Sequence, residues 1–475
     1  MPQRQPGPHR PFLVALLVAG AFSMENLDGT VIATALPQMA HSFGVPVVDC
    51  SVGMTAYLLA LAVFIPISGW VADRFGARTV FGSAIAVFTL SSVFCGFSHG
   101  LAEFTVARVI QGMGGAMMVP VGRLTVLRTT EKKDLIKAIA TLTWPGLAAP
   151  IVGPPLGGFI TYYASWRWIF FLNVPFGIAG IVLTAFIVPN RREAQTRRFD
   201  WVGFVLTGSA CCAIMYALDL LGRQNIRGRM AAAALAAGAA LAIAAVRHAA
   251  TRTHSLLDLD TLRIRTFVTN IRGGSLFRLS IGAVPFLLPL MFQVGFHMDP
   301  FSSGLLVLAV FAGNLAMKPA TTPLLRLFGF RSTLIINGIL AAASIWACGV
   351  LSPGTPKYLI IALLFLGGLF RSMQFTALSS VAFADVPPEQ MSGANTLASV
   401  AQQVAFGMGV AFGAVALRFA SALDPSGDGS LTVFDFRIAF ALVGLAAFAG
   451  LYDCWRLSPG DGSEVSGHVP GSRAP

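Results

Sequence analysis

Charge is scarce in this chain: only 11% of its 475 residues are Asp, Glu, Lys or Arg, against roughly 25% in an ordinary soluble domain. With 55% hydrophobic residues and a mean hydropathy of +0.72, the sequence cannot cover a domain of this size with polar surface. That excludes a soluble globular protein and makes lipid the expected solvent. Lysine is almost missing, five residues against twenty-eight arginines, a bias shared with GC-rich bacterial genomes. The net charge of +12 lies in short clusters between apolar runs, which fits membrane topogenesis and argues against nucleic-acid binding. The six cysteines (Cys50, Cys95, Cys211, Cys212, Cys348 and Cys454) have no metal-ligand spacing and read as small apolar fillers. No His-Glu-x-x-His pair and no Walker-type phosphate loop occurs, so zinc hydrolysis and ATP-driven chemistry lose their usual signatures. "GMGG" (112–115) follows no strand. "DPSGDGSLTVFD" (424–435) imitates a calcium loop but ends in Asp and reads as an external turn. No cofactor and no metal site is expected.

What is abundant is apolar sequence of membrane-crossing length. About 20 such residues span a bilayer, and fourteen runs qualify: 12–35, 48–71, 79–98, 102–125, 137–162, 168–189, 200–221, 230–248, 266–294, 302–324, 332–351, 357–380, 393–419 and 436–456. The first begins like a secretion signal. It continues past residue 30 without a convincing small-residue cleavage site, and so reads as a retained span. "DRFGAR", "RTTEKKDLIK", "NRREAQTRR", "RHAATRTHSLLDLDTLRIR" and "RLFGFR" are basic and fall on one side; loops near 41–50, 98–103, 295–302 and 352–357 have almost no Lys or Arg. The basic side is expected to be cytoplasmic, with both termini. Loop 222–229 breaks the pattern, since it carries Arg223, Arg227 and Arg229 on the external side. A tolerated exception or a seventh–eighth hairpin that does not fully cross would each explain it.

"VADRFGAR" (71–78) and "LLRLFGFR" (324–331) share Phe-Gly-x-Arg, with Asp73 opposite Arg326. They follow the second and tenth runs, so runs 1–6 and 9–14 read as two related six-span halves, and runs 7 and 8 as an inserted hairpin. In "WPGLAAPIVGPPLGG" (144–158), Gly146, Pro150, Pro154 and Gly158 recur every four residues and line one helix face, with Gly153 and Gly157 beside it. A face of small residues lets backbones approach closely, and neighbouring helices can satisfy carbonyls that proline frees.

These stretches carry a family resemblance. "GWVADRFGARTV" (69–80) resembles the signature loop of the major facilitator superfamily, and "FTVARVIQGMGGAMMVP" (104–120) its fourth-span arginine motif. The segment ending "GPPLGG" resembles the fifth-span motif of its antiporters. "MENLDGTVIATALPQMA" (24–40), "SWRWIFFLNVPFG" (165–177) and "FRSMQFTALSSVAFADVPPEQMSGANTLASVAQQ" (370–403) resemble the fourteen-span drug/proton antiporter group. The resemblance implies an all-α membrane protein of two six-helix bundles plus a hairpin: 1–190, 191–255 and 256–475. It implies no enzyme. It implies a transporter in the bacterial inner membrane, exchanging protons for amphipathic, cationic compounds. An exporter of an endogenous metabolite or lipid, or an importer, is the alternative. The partners expected are protons, a small-molecule substrate, the bilayer and, in a two-membrane cell, a periplasmic adaptor with an outer-membrane channel.

Charges inside the runs are the candidate working residues, because each is costly in lipid. Glu25 and Asp28 lie three apart on one face of the first run. Two neighbouring carboxylates resist ionising together, so one of them should take up a proton readily. Arg108, in the fourth run, needs an acceptor there; the resemblance implies a role in proton coupling. Arg272, Arg278, Arg371 and Gln374 are candidates for lining a cavity. Lys318 is expected to snorkel to the interface. Gly69, Asp73, Arg74, Gly76 and Arg78 form the loop that the resemblance assigns to a conformational latch, and Gly146, Pro150, Gly153, Pro154, Gly157 and Gly158 a hinge and seal.

Overall fold

Apolar runs of this length can satisfy their backbone in lipid only by closing hydrogen bonds within helices. The computed structural model describes residues 10–129, 149, 151–189, 199–222, 228–251, 259–387, 390–423 and 431–466. Helix α1 (Arg10–Val31) ends in a 3-10 turn and a short amphipathic α2 (Leu36–Phe43). Then come α3 (Ser51–Phe75), α4 (Ala77–Phe97), α5 (Leu101–Thr129), α6 (151–163), α7 (Arg167–Phe171) and α8 (Asn173–Ile187). Two helices, α9 (Trp201–Gly222) and α10 (Gly228–Thr251), pair with each other. The second large set is α11 (Arg265–Ile271), α12 (Gly273–Leu290), α13 (Pro300–Ala316), α14 (Lys318–Val350), α15 (Lys357–Val381), α16 (Met391–Leu423), α17 (Val433–Ala449) and α18 (Leu451–Trp455).

Among the described residues, twelve helices are long and apolar enough to cross a membrane, and each falls on one of the fourteen predicted runs. The run 137–162 is described only in its latter part, α6. The run 302–324 divides: α13 is a shorter apolar helix of 17 residues, and the chain breaks at Met317 before α14 begins. Other runs also contain breaks that periodicity could not show. Arg272 separates α11 from α12, and α12 passes Pro285 and Pro289 before ending in a π turn over Met291–Gly295. The two prolines leave the Ile281 and Pro285 carbonyls without their helical donors, which loosens α12 in the turns just before that π turn. Loop 222–229 lies largely outside the described residues, as do Gly146, Pro150 and the basic stretches 130–137 and 190–198.

The repeat seen in the sequence is a repeat of backbone geometry. Gly76 separates α3 from α4 at φ 92°, and Gly329 kinks α14 at φ 70°. Both are left-handed positions that residues with a Cβ rarely adopt. The shared Phe-Gly-x-Arg therefore encodes one turn, used twice.

Packing distinguishes the two ends of the bundle. At the end holding residues 41–50, one hydrophobic core joins both helix sets, uniting Val31, Leu36, Phe104 and Trp166 with Phe286, Phe292, Leu306 and Phe436. At the end holding the 69–80 loop, the cores separate. One is built around Phe81 and Phe88 from α1, α3, α4 and α5; others are built around Phe330 and Met373, and around Phe267, from the second set. Gln293 Nε2 donates across the joined end to the Thr34 carbonyl at 3.0 Å. Helix α9 lies against both α3 and α16.

Candidate functional site

Five helices converge on Asp28. Arg108 and Gln111 stand three apart on α5 and so share a face. Arg108 Nη1 reaches Asp28 Oδ2 at 2.5 Å and Gln111 Oε1 at 2.6 Å, with both charged side chains fully buried. Gln111 Nε2 donates to Asp28 Oδ1 (3.0 Å) and to Ser92 Oγ of α4 (2.7 Å). Asn173 of α8 donates to the same two oxygens at 3.1 and 3.2 Å. From α3, the Gly53 carbonyl accepts Arg108 Nε at 3.3 Å, and the Tyr57 ring lies 4.2 Å from the guanidinium carbon. A buried ion pair is tolerable when its remaining donors and acceptors are occupied, and this one nearly meets that condition. Gln111, Ser92, Asn173 and Tyr57 were not singled out from the sequence. The Arg-x-x-Gln spacing within "ARVIQG" was the available signal, since it puts an amide beside a charge in lipid.

Glu25 is different. Its Oε2 is buried without a hydrogen-bond partner, and so is the Tyr57 hydroxyl. Both face Gly115 of α5: a Cβ there would sit 3.4 Å from Tyr57 Oη and 3.7 Å from Glu25 Cδ. The two first-span carboxylates thus part company: Asp28 is held by three donor side chains, while Glu25 keeps an open oxygen.

The small-residue face of α6 does join backbones. A Cβ on Gly153 would collide with Thr30, and one on Gly157 would lie 2.5 Å from the Val31 carbonyl and 2.6 Å from Thr34 Oγ1. Gly158 abuts the Pro300 carbonyl and Phe301, while Gly304 of α13 abuts the Pro154 carbonyl. This seam therefore ties α1 to α13, across the two helix sets, at the joined end.

The loop residues sit at the other end. Gly69 is an exposed turn of α3, Asp73 is half-buried in the last turn of α3 and engaged in an interaction, and Arg78 is exposed in the first turn of α4. Arg74 lies over Trp70 at 5.4 Å and over Phe75 at 5.9 Å.

In the second set, Arg278 donates to the Asn270 carbonyl (3.1 Å) and to Asn270 Oδ1 (2.7 Å), leaving Nε buried and unbonded. Arg371 lines an apolar cavity, with its Nη1 buried and without a partner. Gln374 does not line that cavity: it accepts from Asn337 Nδ2 at 3.0 Å and donates to the Leu334 carbonyl at 3.1 Å, binding α15 to α14. Arg272 is largely exposed and approaches Asp453 at 4.0 Å. Lys318 donates to Thr376 Oγ1 at 3.1 Å. Asp435, the end of the calcium-loop lookalike, caps α17 through the Thr432 amide at 2.8 Å; residues 424–430 lie outside the described residues. The Gly96–Gly100 stretch has the Gly-x-Ser-x-Gly spacing of a hydrolase elbow. It links two helices, however, and Ser98 Oγ donates to the Cys95 carbonyl at 2.7 Å. The strand that such an elbow requires is missing there. Among the described residues, no three His, Cys, Asp or Glu side chains cluster to hold a metal.

The family model described as Major Facilitator Superfamily matches residues 12–246 and 273–474. A protein of Serratia proteamaculans, named "Putative multidrug resistance protein MdtD", is 36% identical over 399 residues, 84% of this chain and 83% of its own. One of the same name from Klebsiella pneumoniae is 34% identical over 437 residues, 91% of this chain and 92% of its own. The fold is similar to a D-xylose-proton symporter crystal structure, with TM-score 0.69 at 15% identity, covering 95% of this chain and 99% of that one. It is also similar to an auto-inhibited POT family peptide transporter, with TM-score 0.67 at 16% identity over 95% and 97% of the two chains. An apolar helical bundle, a pair of matching Phe-Gly-x-Arg turns and a buried carboxylate–arginine network agree with these likenesses: the chain is an integral membrane protein and belongs to the major facilitator superfamily of transporters.

Proposed function

We propose that the chain is a proton-coupled antiporter that exports amphipathic, cationic compounds. The observation that carries this reading is the open Glu25 oxygen beside an Asp28–Arg108 pair whose polar atoms are occupied except for Arg108 Nη2. A coupling site must gain and lose a proton without unravelling the protein. Protonating Asp28 would leave Arg108 buried without its counter-charge, a costly event; protonating Glu25 breaks no bond. Proton and cation would then compete for one carboxylate, and that competition couples their fluxes. The matched relatives, named for multidrug resistance, support the export direction and substrate class.

Two six-span halves and a two-span hairpin make fourteen spans in this reading, with both termini and the 69–80 loop in the cytoplasm. The joined core then closes the external end, and the separated cores face inward, a state suited to loading substrate from the cytoplasm. The α6 seam is the seal, and the two Phe-Gly-x-Arg turns belong to the end that must close next. The test is substrate-induced proton release from inverted vesicles, with dye efflux measured with and without a protonophore. Wild-type vesicles should release protons from the lumen only when both substrate and gradient are present. Transport indifferent to the protonophore would remove the coupling.

A further inference from the structure

We propose that the second helix set holds a separate subsite for the anionic head group of an amphipathic organic acid, with Arg371 as its ligand. This rests on the transporter reading above and extends its substrate range to carboxylates and sulfonates. Arg371 sits in the body of α15, about 20 Å from the start of the helix and about 15 Å from its end by helical rise. Its guanidinium stands 6.0 Å from the Phe311 ring. No hydrogen bond or ion pair to it is present among the described residues, and its buried Nη1 has no acceptor. An ionisable group at such depth ordinarily finds a partner in the protein.

Four acids of the second set have partners away from Arg371. Asp453 faces Arg272, Asp385 accepts from Thr266, Asp435 caps α17, and Asp299 caps α13. Arg278, the next charge along, is held by the neutral groups of Asn270 and approached by Ser379. The buried carboxylates of the second set, Asp435 and Asp453, are committed at helix ends, and among the described residues no ion pair joins a carboxylate to Arg278 or Arg371. Arg371 borders a cavity of about 30 Å³ whose walls include Phe277, Ile281, Val284, Ile345 and Leu364. One water needs about 10–15 Å³ on this scale, so the space matches the two oxygens of a carboxylate, between apolar walls. A planar guanidinium offers paired donors that match a carboxylate or sulfonate.

The experiment measures binding of radiolabelled decanoate, against decanol as the uncharged analogue, to the full chain in phosphatidylcholine nanodiscs. Decanoate should bind about ten-fold or more tightly than decanol, the value of one charge-assisted hydrogen-bond pair. Arg371→Gln should erase that difference, and Arg371→Lys should restore part of it; the unfolding temperature of each variant confirms an intact fold. Equal binding of acid and alcohol by the wild type overturns the proposal, as does decanoate binding that survives Arg371→Gln. Displacement of decanoate by phosphatidylglycerol in the discs, without competition by other soluble organic acids, would reassign the subsite to a lipid head group and overturn the substrate claim. Decanoate binding with no proton-linked transport of any compound would sink the proposed function and leave the subsite standing.

Discussion

The two helix sets bury arginine in opposite ways. In the first, Arg108 has Asp28, Gln111, the Gly53 carbonyl and the Tyr57 ring around it, so the charge is neutralised where it lies. In the second, Arg278 is held by a neutral amide and Arg371 by an aromatic ring alone. A neutralised charge is a fastening; an uncompensated one is an opening for something negative. The same residue type, buried in both sets, does different work because of what the neighbouring helices supply.

The largest effect should come from breaking the fastening. Asp28→Asn leaves Arg108 buried without its counter-charge, a loss of about 3–5 kcal/mol for a pair of this kind. The variant should accumulate poorly and melt early in detergent. Combining it with Arg108→Gln should recover part of the loss, because both charges then leave together. If Asp28→Asn melts with the wild type, the network is not a fastening.

Gly157→Leu should come next. Its side chain must displace the Val31 carbonyl and Thr34, and overpacking of this sort costs about 1–3 kcal/mol. Efflux should be lost while protein still reaches the membrane, and disulfide cross-linking between α1 and α6 should show the seam pushed apart. Gly76→Ala and Gly329→Ala should each destabilise by about 1–2 kcal/mol, since alanine resists a left-handed backbone. Similar losses in the two variants would confirm that the halves use the turn equally.

Glu25→Gln should barely move the melting temperature, yet abolish substrate-induced proton release. Retained proton release in that variant would pass the coupling role to Asp28 or to the second set. The smallest effect on transport belongs to Asp299→Ala, which removes the α13 cap (the Ser302 amide donating to Oδ1 at 2.8 Å) for about 1 kcal/mol of stability. Partial burial pushes the Asp299 carboxyl up, but hydrogen bonds from Ser302 and neighbouring amides outweigh this and hold it below its ordinary value. Its contribution is thus present above the usual aspartate range and is lost as pH falls through the lowered value. Comparing the melting of the wild type and the Asp299→Ala variant at neutral and strongly acidic pH checks the sign.

Helix content, the Phe-Gly-x-Arg repeat and the α6 seam were legible in the sequence because each is written in local spacing. Apolar length predicts a helix wherever lipid is the solvent, and a four-residue period of small residues predicts a close approach whatever the partner. What stayed hidden depended on partners far along the chain. Glu25 and Asp28 look alike at a spacing of three; only Arg108, eighty residues away, decides which one is occupied. Gln374 looked like a cavity residue until Asn337 claimed it. The break at Met317 and the π turn after Pro289 are similarly absent from a hydropathy profile, which registers composition and not the loss of single amide donors.

The contacts of Gly158 with Pro300 and of Gly304 with the Pro154 carbonyl set main chain against main chain across the two helix sets. Interlocked side chains would act as teeth, and each relative displacement would have to lift them out of their sockets through a rotamer change. Here there is little to lift. The rings of Phe159 and Tyr163 do meet Phe301 beside this strip, but the glycine contacts themselves are nearly smooth on the scale of a methyl group, so α6 and α13 can slip there by small increments while staying in touch. Such a joint resists leakage and yet offers low resistance to sliding, the pairing of properties that a bearing has and a zipper lacks.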